Sequence, residues 1–394
     1  MIELLKNADV YAPEPLGLRH LAVCGGRILW LGETLPEIPR ELLGGVADLE
    51  GRRVIPGLID GHVHLTGGGG EAGAATRVPP LALSRIALGG VTTVVGVLGT
   101  DDLTRTPAGL LAAVRGLVEE GLTAYCLTGG YHVPAATITG SVRGDIVHID
   151  RVLGVGEVAI SDHRSSQPTL DEILRLASEA HVAGLMTHKA GILHLHVGDG
   201  RRGLELIRRA LAESEIPPRV FNPTHVNRRK ALFDEALALA VEGCTVDVTA
   251  FPVEEGEDAW SAEEAVGRYL DAGAPRERLT VSSDGGGCLP TFDEEGRVAK
   301  MDVGSPAALA LTLRALLATG RPLEEVLPPF TSNPAKLLRL AAKGRLRAGG
   351  DADLVILDEN HRIRDVLAGG RWFVRDGRPQ VLGTFESRSQ EGAS

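Results

Sequence analysis

Two histidines spaced for metal binding stand early in the chain, in Asp60-Gly61-His62-Val63-His64. In an extended run alternate side chains share a face, so His62 and His64 lie on one side, roughly 7 Å apart along the strand. Further candidates end other apolar, β-like runs: Glu157, His196, His225 and Asp284. Four neutral imidazoles with carboxylates form a donor set for zinc or a similar borderline divalent ion. Six ligands exceed one tetrahedral centre, and a bridging carboxylate predicts two ions about 3.5–4 Å apart sharing a hydroxide. The chemistry expected is hydrolysis: hydroxide attacks a carbonyl, and Asp284 takes its proton and delivers it to the leaving group. A lone strand histidine is more often packing than ligand, so the weight rests on the joint placement. His194 shares the face of His196 one layer deeper, and reads as a buried residue and the rival for that ligand position. His163 and His188 fall in loops near the site and stay open. His20, His148, His181 and His361 read as ordinary surface or packing residues.

Eight strand-like runs rich in Val, Leu, Ile and Thr must position these groups: 54–64, 91–98, 122–128, 152–160, 191–197, 220–226, 245–251 and 279–283. Amphipathic stretches lie between them, as at 107–120, 170–183, 229–242 and 262–272, with apolar residues such as Leu170, Ile173, Leu174 and Ala177 at helical spacing. Strand–helix alternation of this length predicts an α/β fold, a (β/α)₈ TIM barrel, with the chemistry at the C-terminal strand ends. Both chain ends read as short strands with glycine turns and neither has the apolar surface to fold alone, which predicts one β-sandwich built from both termini. The expected boundaries are 1–54 and 344–383 for the sandwich, 55–343 for the metal-binding barrel, and a frayed tail over 384–394. The 394 residues carry 52 acidic and 41 basic side chains, a net charge of −11. That balance argues against gripping nucleic acid or an anionic membrane. No apolar run reaches the ~20 residues that span a bilayer, no secretory signal opens the chain, and four cysteines without a CxxC pair fit a reducing compartment. A cytoplasmic enzyme is the expectation.

The run Pro56-Gly57-Leu58-Ile59-Asp60-Gly61-His62-Val63-His64 resembles the first-strand signature of the amidohydrolase superfamily. Gly349-Gly350-Asp351-Ala352-Asp353-Leu354-Val355 resembles its return into the sandwich. Further runs are similar to the isoaspartyl (β-aspartyl) dipeptidase family: 64–73, 128–134, 160–165, 223–228 and 282–285. The resemblance implies an oligomeric metallo-dipeptidase that cleaves the isopeptide bond of β-Asp-Xaa dipeptides. It puts His62 and His64 on one ion, His196 and His225 on the other, and makes Asp284 both a ligand and the acid/base. It also gives Glu71 the substrate ammonium, Tyr131 the carbonyl oxygen, Arg164 and Arg228 the carboxylates, and Thr100 a substrate contact. The chain departs from that pattern twice. The family bridges its metals with a carboxylated lysine, but no lysine lies between Lys6 and Lys189, and Glu157 stands on the fourth strand instead. A glutamate offers the same two-oxygen, singly negative bridge without CO₂, on a shorter stem that Gly154 and Gly156 would accommodate. Cys288 replaces a substrate-contacting serine with a weaker hydrogen-bonding thiol. The alternative activity keeps the site and changes the substrate to a cyclic amide or an N-acyl amino acid, neither of which needs a carboxylate at Glu71.

Overall fold

The structure, a computed structural model, describes residues 1–292 and 298–387. The N-terminal part forms β1 (Ile2–Tyr11), β2 (Pro15–Cys24), β3 (Arg27–Gly32), β4 (Leu43–Asp48) and β5 (Arg53–Pro56). The middle of the chain gives β6 (Leu58–Val63), β7 (Val91–Gly96), β8 (Thr123–Thr128), β9 (Val152–Ile160), β10 (Ile192–Val197), β11 (Phe221–Thr224), β12 (Val246–Thr249) and β13 (Leu279–Ser282). A hairpin of β14 (Cys288–Phe292) and β15 (Val298–Val303) follows, and β16 (Leu354–Leu357), β17 (Ile363–Ala368), β18 (Arg371–Arg375) and β19 (Arg378–Pro379) end the chain. The two ends share one sheet in the order β19-β18-β17-β16-β5-β1-β2-β3, with β4 beside β1. Leu5, Val10, Leu21, Ile28, Leu354 and Ile356 make its separate core.

The expected strand over 54–64 is two strands in two sheets. Gly57 is the step between them: its N–H bonds the Asp353 carbonyl at 2.9 Å, and a Cβ there would stand 2.1 Å from Thr92 Oγ1. Beyond it, β6 to β11 form a curled, all-parallel sheet in sequence order, and β12 pairs with β13. The circuit expected of a closed barrel is not completed by ladders. Between β11 and β12, Val226 N–H reaches the Asp247 carbonyl at 3.3 Å, and one bridge joins Val63 to Gly285. The last three of these strands are four residues each, and Pro223 in β11 has no N–H to offer.

Helices cover the outer face: α1 (Leu83–Leu88), α2 (Pro107–Glu119), α3 (Val142–His148), α4 (Leu170–Thr187), α5 (Glu205–Ala212), α6 (Lys230–Glu242), α7 (Ala262–Asp271) and α8 (Ala307–Ala318). Thr169 and Glu172 form a reciprocal cap that starts α4, and its buried stripe of Ile173, Leu176, Ala177 and Ala180 packs on the sheet. A fully buried Ile or Leu of this kind contributes about 1.5–3 kcal/mol. Gly383 and Thr384 are not loose: the Thr384 N–H bonds Glu120 at 2.8 Å, and Glu386 accepts from the Ser84 N–H at 3.1 Å. Residues 388–394 of the expected tail lie outside the described residues. Among the described residues no helix is long and apolar enough to cross a membrane.

Candidate metal centre

The candidate ligands sit towards the C-terminal ends of their strands. His62 and His196 are penultimate in β6 and β10, and His64 and His225 follow β6 and β11 by one residue. Asp284 follows β13 by two, and Glu157 stands three residues before the end of β9. Alternation along β6 sends Asp60, His62 and His64 the same way. Asp60 turns to the far side of the circuit, where the Ser283 backbone N–H donates to it at 3.1 Å, and burial pushes its carboxyl up to about 7. Strand geometry alone does not aim His225 and Asp284. Both follow their strand ends with left-handed backbone, φ 62° and 51°, a conformation uncommon outside glycine that turns the chain sharply at the strand end. His62, His64, Glu157, His196, His225 and Asp284 are all buried.

Glu157 is the centre of the arrangement. Its Oε1 lies 2.7 Å from His196 Nδ1 and 3.0 Å from His225 Nε2. Its Oε2 faces the other histidines, 3.4 Å from His62 Nε2 and 3.7 Å from His64 Nε2. Asp284 Oδ1 stands 3.1 Å from His64 Nε2 and 3.5 Å from His62 Nε2. One carboxylate thus divides the imidazoles into two pairs, an oxygen to each. His62 Nε2, Glu157 Oε2 and Asp284 Oδ1 are buried and without a hydrogen-bond partner among the described residues. Two groups of donors come within 4.8 Å of one another: His62, His64 and Asp284, and His62, Glu157 and His225. Buried polar atoms left without a partner are costly, and these ring nitrogens and carboxylate oxygens fit divalent cations in number and type.

The electrostatics point the same way. Burial favours neutral Glu157 and Asp284, but the facing histidines outweigh it and hold both well below the carboxylate range. Burial works against a charged His62 too, and Glu157 and Asp284 reverse that, holding the ring well above its usual value. His225 behaves differently, pushed down to about 3 chiefly by burial. The site thus holds two carboxylates in their charged form facing a cluster of imidazoles.

Outer partners fix the rings. His225 Nδ1 meets Thr249 Oγ1 at 2.7 Å, and His196 Nε2 meets Asp162 Oδ2 at 3.0 Å. Asp162 is also bound by Arg164 at 2.8 Å. Hydrogen bonds from His196 and Arg164 overcome burial to keep its carboxyl well below normal. Sequence reading gave Asp162 no role, although it sits two residues beyond β9 in Ser161-Asp162-His163-Arg164. His194 is buried and touches His62 Nδ1 at 2.8 Å; neither it nor its rival His196 is among the grouped donors. His163 is an exposed ring 3.6 Å from Asp162. His188 caps the C-terminus of α4, at the opposite ends of the strands, and is not near the site.

Above the ligands opens a cavity of about 570 Å³, lined among others by Glu71, Thr100, Tyr131, Arg164, Arg228 and Cys288. Tyr131 Oη is 2.8 Å from His196 Nδ1. Burial, then the Glu157 charge, raises its hydroxyl well above normal. Arg164 joins Asp162 to Glu71, 3.1 Å away. Arg228 reaches His196 Nε2 and the Val197 carbonyl, each at 3.3 Å. Cys288 Sγ lies 3.5 Å from Met301 Sδ. Sequence reading passed over Arg105, which is buried and donates to the carbonyls of Thr66, Gly69 and Val78 at 3.1–3.3 Å. It pins the glycine loop that carries Glu71; no motif marked it.

A model of the amidohydrolase family matches residues 53–373. The β-aspartyl dipeptidase of Fervidobacterium islandicum AW-1, solved with β-Asp-Leu, is 43% identical over 98% of this chain and 100% of its own, with a TM-score of 0.91. Imidazolonepropionase from Anaeromyxobacter sp. strain K is 29% identical over 90% of this chain and 89% of its own. A D-hydantoinase (dihydropyrimidinase) from Thermus sp. shares the fold, with a TM-score of 0.69 at 16% identity.

Proposed function

From the premise that the chain belongs to the amidohydrolase family and is a hydrolase, we propose that it hydrolyses the isopeptide bond of β-aspartyl dipeptides. The observation that carries this reading is the Glu157 carboxylate, one oxygen towards each pair of histidines, beneath a cavity that also holds Glu71 and two arginines. The strands β6 to β13 we read as an eight-stranded (β/α)₈ barrel.

His62, His64 and Asp284 would hold one divalent ion, His196 and His225 the other, with Glu157 across both in place of a carboxylated lysine; zinc is the ion we expect. When bound, such ions lower the pKa of water and polarise an amide carbonyl. The chain's own groups do the rest. Asp284, ionised at neutral pH, accepts a proton from the attacking water on its carboxylate and passes it to the departing nitrogen. Tyr131 stays protonated and donates from Oη to the developing oxyanion. Glu71 takes the α-ammonium of the aspartyl residue, exchanging its contact with Arg164 for the substrate. Arg164 and Arg228 take the carboxylates through their planar forks, and Thr100 and Cys288 flank them.

The test is release of leucine from β-Asp-Leu by protein loaded with zinc, with Glu71→Gln raising KM far more than it lowers kcat. No release rules the proposal out. The imidazolonepropionase relative favours a second reading, a cyclic amide opened at the same centre. Turnover of such a ring that survives Glu71→Gln selects it instead.

A further inference from the structure

A chain of hydrogen bonds below the centre decides which nitrogen of His62 faces it. Asn222 Nδ2 donates to the Thr245 carbonyl at 2.7 Å, which identifies Oδ1 as the atom turned to His194 Nδ1, also at 2.7 Å. A neutral His194 therefore carries its hydrogen on Nδ1 and presents a lone pair at Nε2. That lone pair lies 2.8 Å from His62 Nδ1, so His62 must donate from Nδ1. With Nδ1 committed to that bond, Nε2 is the nitrogen left for an ion, and it is aimed at Glu157 Oε2 and Asp284 Oδ1.

The fold builds this line of groups deliberately. His194 and Asn222 are register partners on the parallel strands β10 and β11, so the amide lies beside the ring. All three side chains are buried. β9 comes close enough to seat His194 only because residue 156 is glycine, where a Cβ would stand 2.6 Å from the His194 carbonyl oxygen. Packing alone would be met by an apolar residue at 194; a ring polar at both ends costs burial free energy unless both ends are paired.

We infer that His194 and Asn222 are positioning residues that lock His62 into the tautomer whose Nε2 can bind a divalent ion. They act through His62 and do not touch the substrate. The inference rests on the metal reading above, and the experiment separates the two.

Zinc and cobalt(II) dissociation constants are measured by chelator competition on the metal-stripped full chain. Wild type is compared with Asn222→Leu, His194→Phe and Asn222→Asp, the last of which keeps an acceptor for His194 Nδ1. Weakening by about 10–100-fold is expected for Asn222→Leu and His194→Phe, the range for lost outer partners, with Asn222→Asp restoring most of it. Nitrogen-15 spectra of zinc-loaded wild type provide a readout that no variant's folding affects: His62 should be coordinated through Nε2 and protonated at Nδ1. Unchanged affinity in both disrupting variants, or coordination through Nδ1, overturns the relay while leaving the metal reading intact. A wild-type chain that takes up neither ion overturns both.

Discussion

Glu157 is where this chain's residues differ most from the pattern it resembles, and its position has measurable consequences. A carboxylate supplied by the polypeptide needs no CO₂, so metal content and activity of native protein should be unchanged by bicarbonate depletion. Glu157→Gln keeps the shape and removes the charge that faces both pairs of imidazoles. We expect its divalent-ion affinity to fall by at least about 10–100-fold, read by elemental analysis after equilibrium dialysis, with bicarbonate giving no rescue. Bicarbonate dependence of the native enzyme would contradict a glutamate bridge. Asp162 and Arg105 show how residue-scale roles hide: the first holds the His196 ring and the second pins a loop, and neither belongs to a spacing pattern.

Strands deliver the candidate ligands, and glycines let the strands come together. Gly156 in β9 has φ +150°, and an added Cβ would meet the His194 carbonyl oxygen at 2.6 Å and its Cβ at 2.8 Å. These are backbone and near-backbone atoms that cannot swing away. Gly156→Ala should therefore cost about 1–3 kcal/mol, as overpacking and backbone strain do, and loosen the metal site with it. Gly116, inside α2, has nothing within 4 Å of its would-be Cβ, so Gly116→Ala should stabilise by roughly 0.5–1 kcal/mol. Denaturant unfolding of the two variants, moving in opposite directions, checks the argument. Two variants of equal stability would mean that the close approach of β9 and β10 is soft.

At the scale of the whole molecule, Lys343 ties the terminal sheet to the parallel one. Its buried ammonium lies 2.5 Å from Asp353, 2.9 Å from Asp351 and 2.7 Å from Thr123 Oγ1 in β8. Burial lowers the pKa of this lysine, but the two aspartates outweigh it and the net shift is upward from 10.5. A folded-state pKa above the unfolded one stabilises below the unfolded value, and that contribution disappears as pH rises through the folded one. Wild type should thus lose stability above about pH 10.5, the ordinary lysine value, more steeply than Lys343→Met. At neutral pH the variant should be weaker by about 3–5 kcal/mol, since two carboxylates lose a buried partner. Thermal unfolding from pH 7 to 11 measures both effects; parallel profiles would remove Lys343 from this role.

The alternation of apolar runs was enough to mark the parallel strands and most covering helices, because buried strands and amphipathic helices impose periods that survive without tertiary context. Periodicity did not separate 54–56 from 58–63, since both stretches are extended and only the passage past Thr92 and Asp353 assigns them to different sheets. The ligand candidates were legible by type and strand-end position. Their meeting was not: His225 and Asp284 turn inward through left-handed backbone that no sequence period encodes. Nor could spacing show that Glu157 would offer one oxygen to each histidine pair, or that Asn222 and Thr245 would choose a tautomer for a ring 160 residues and more before them in the chain. Residue types set which bonds were possible; the curl of the sheet, bringing distant strands to hydrogen-bonding distance, selected the ones that form.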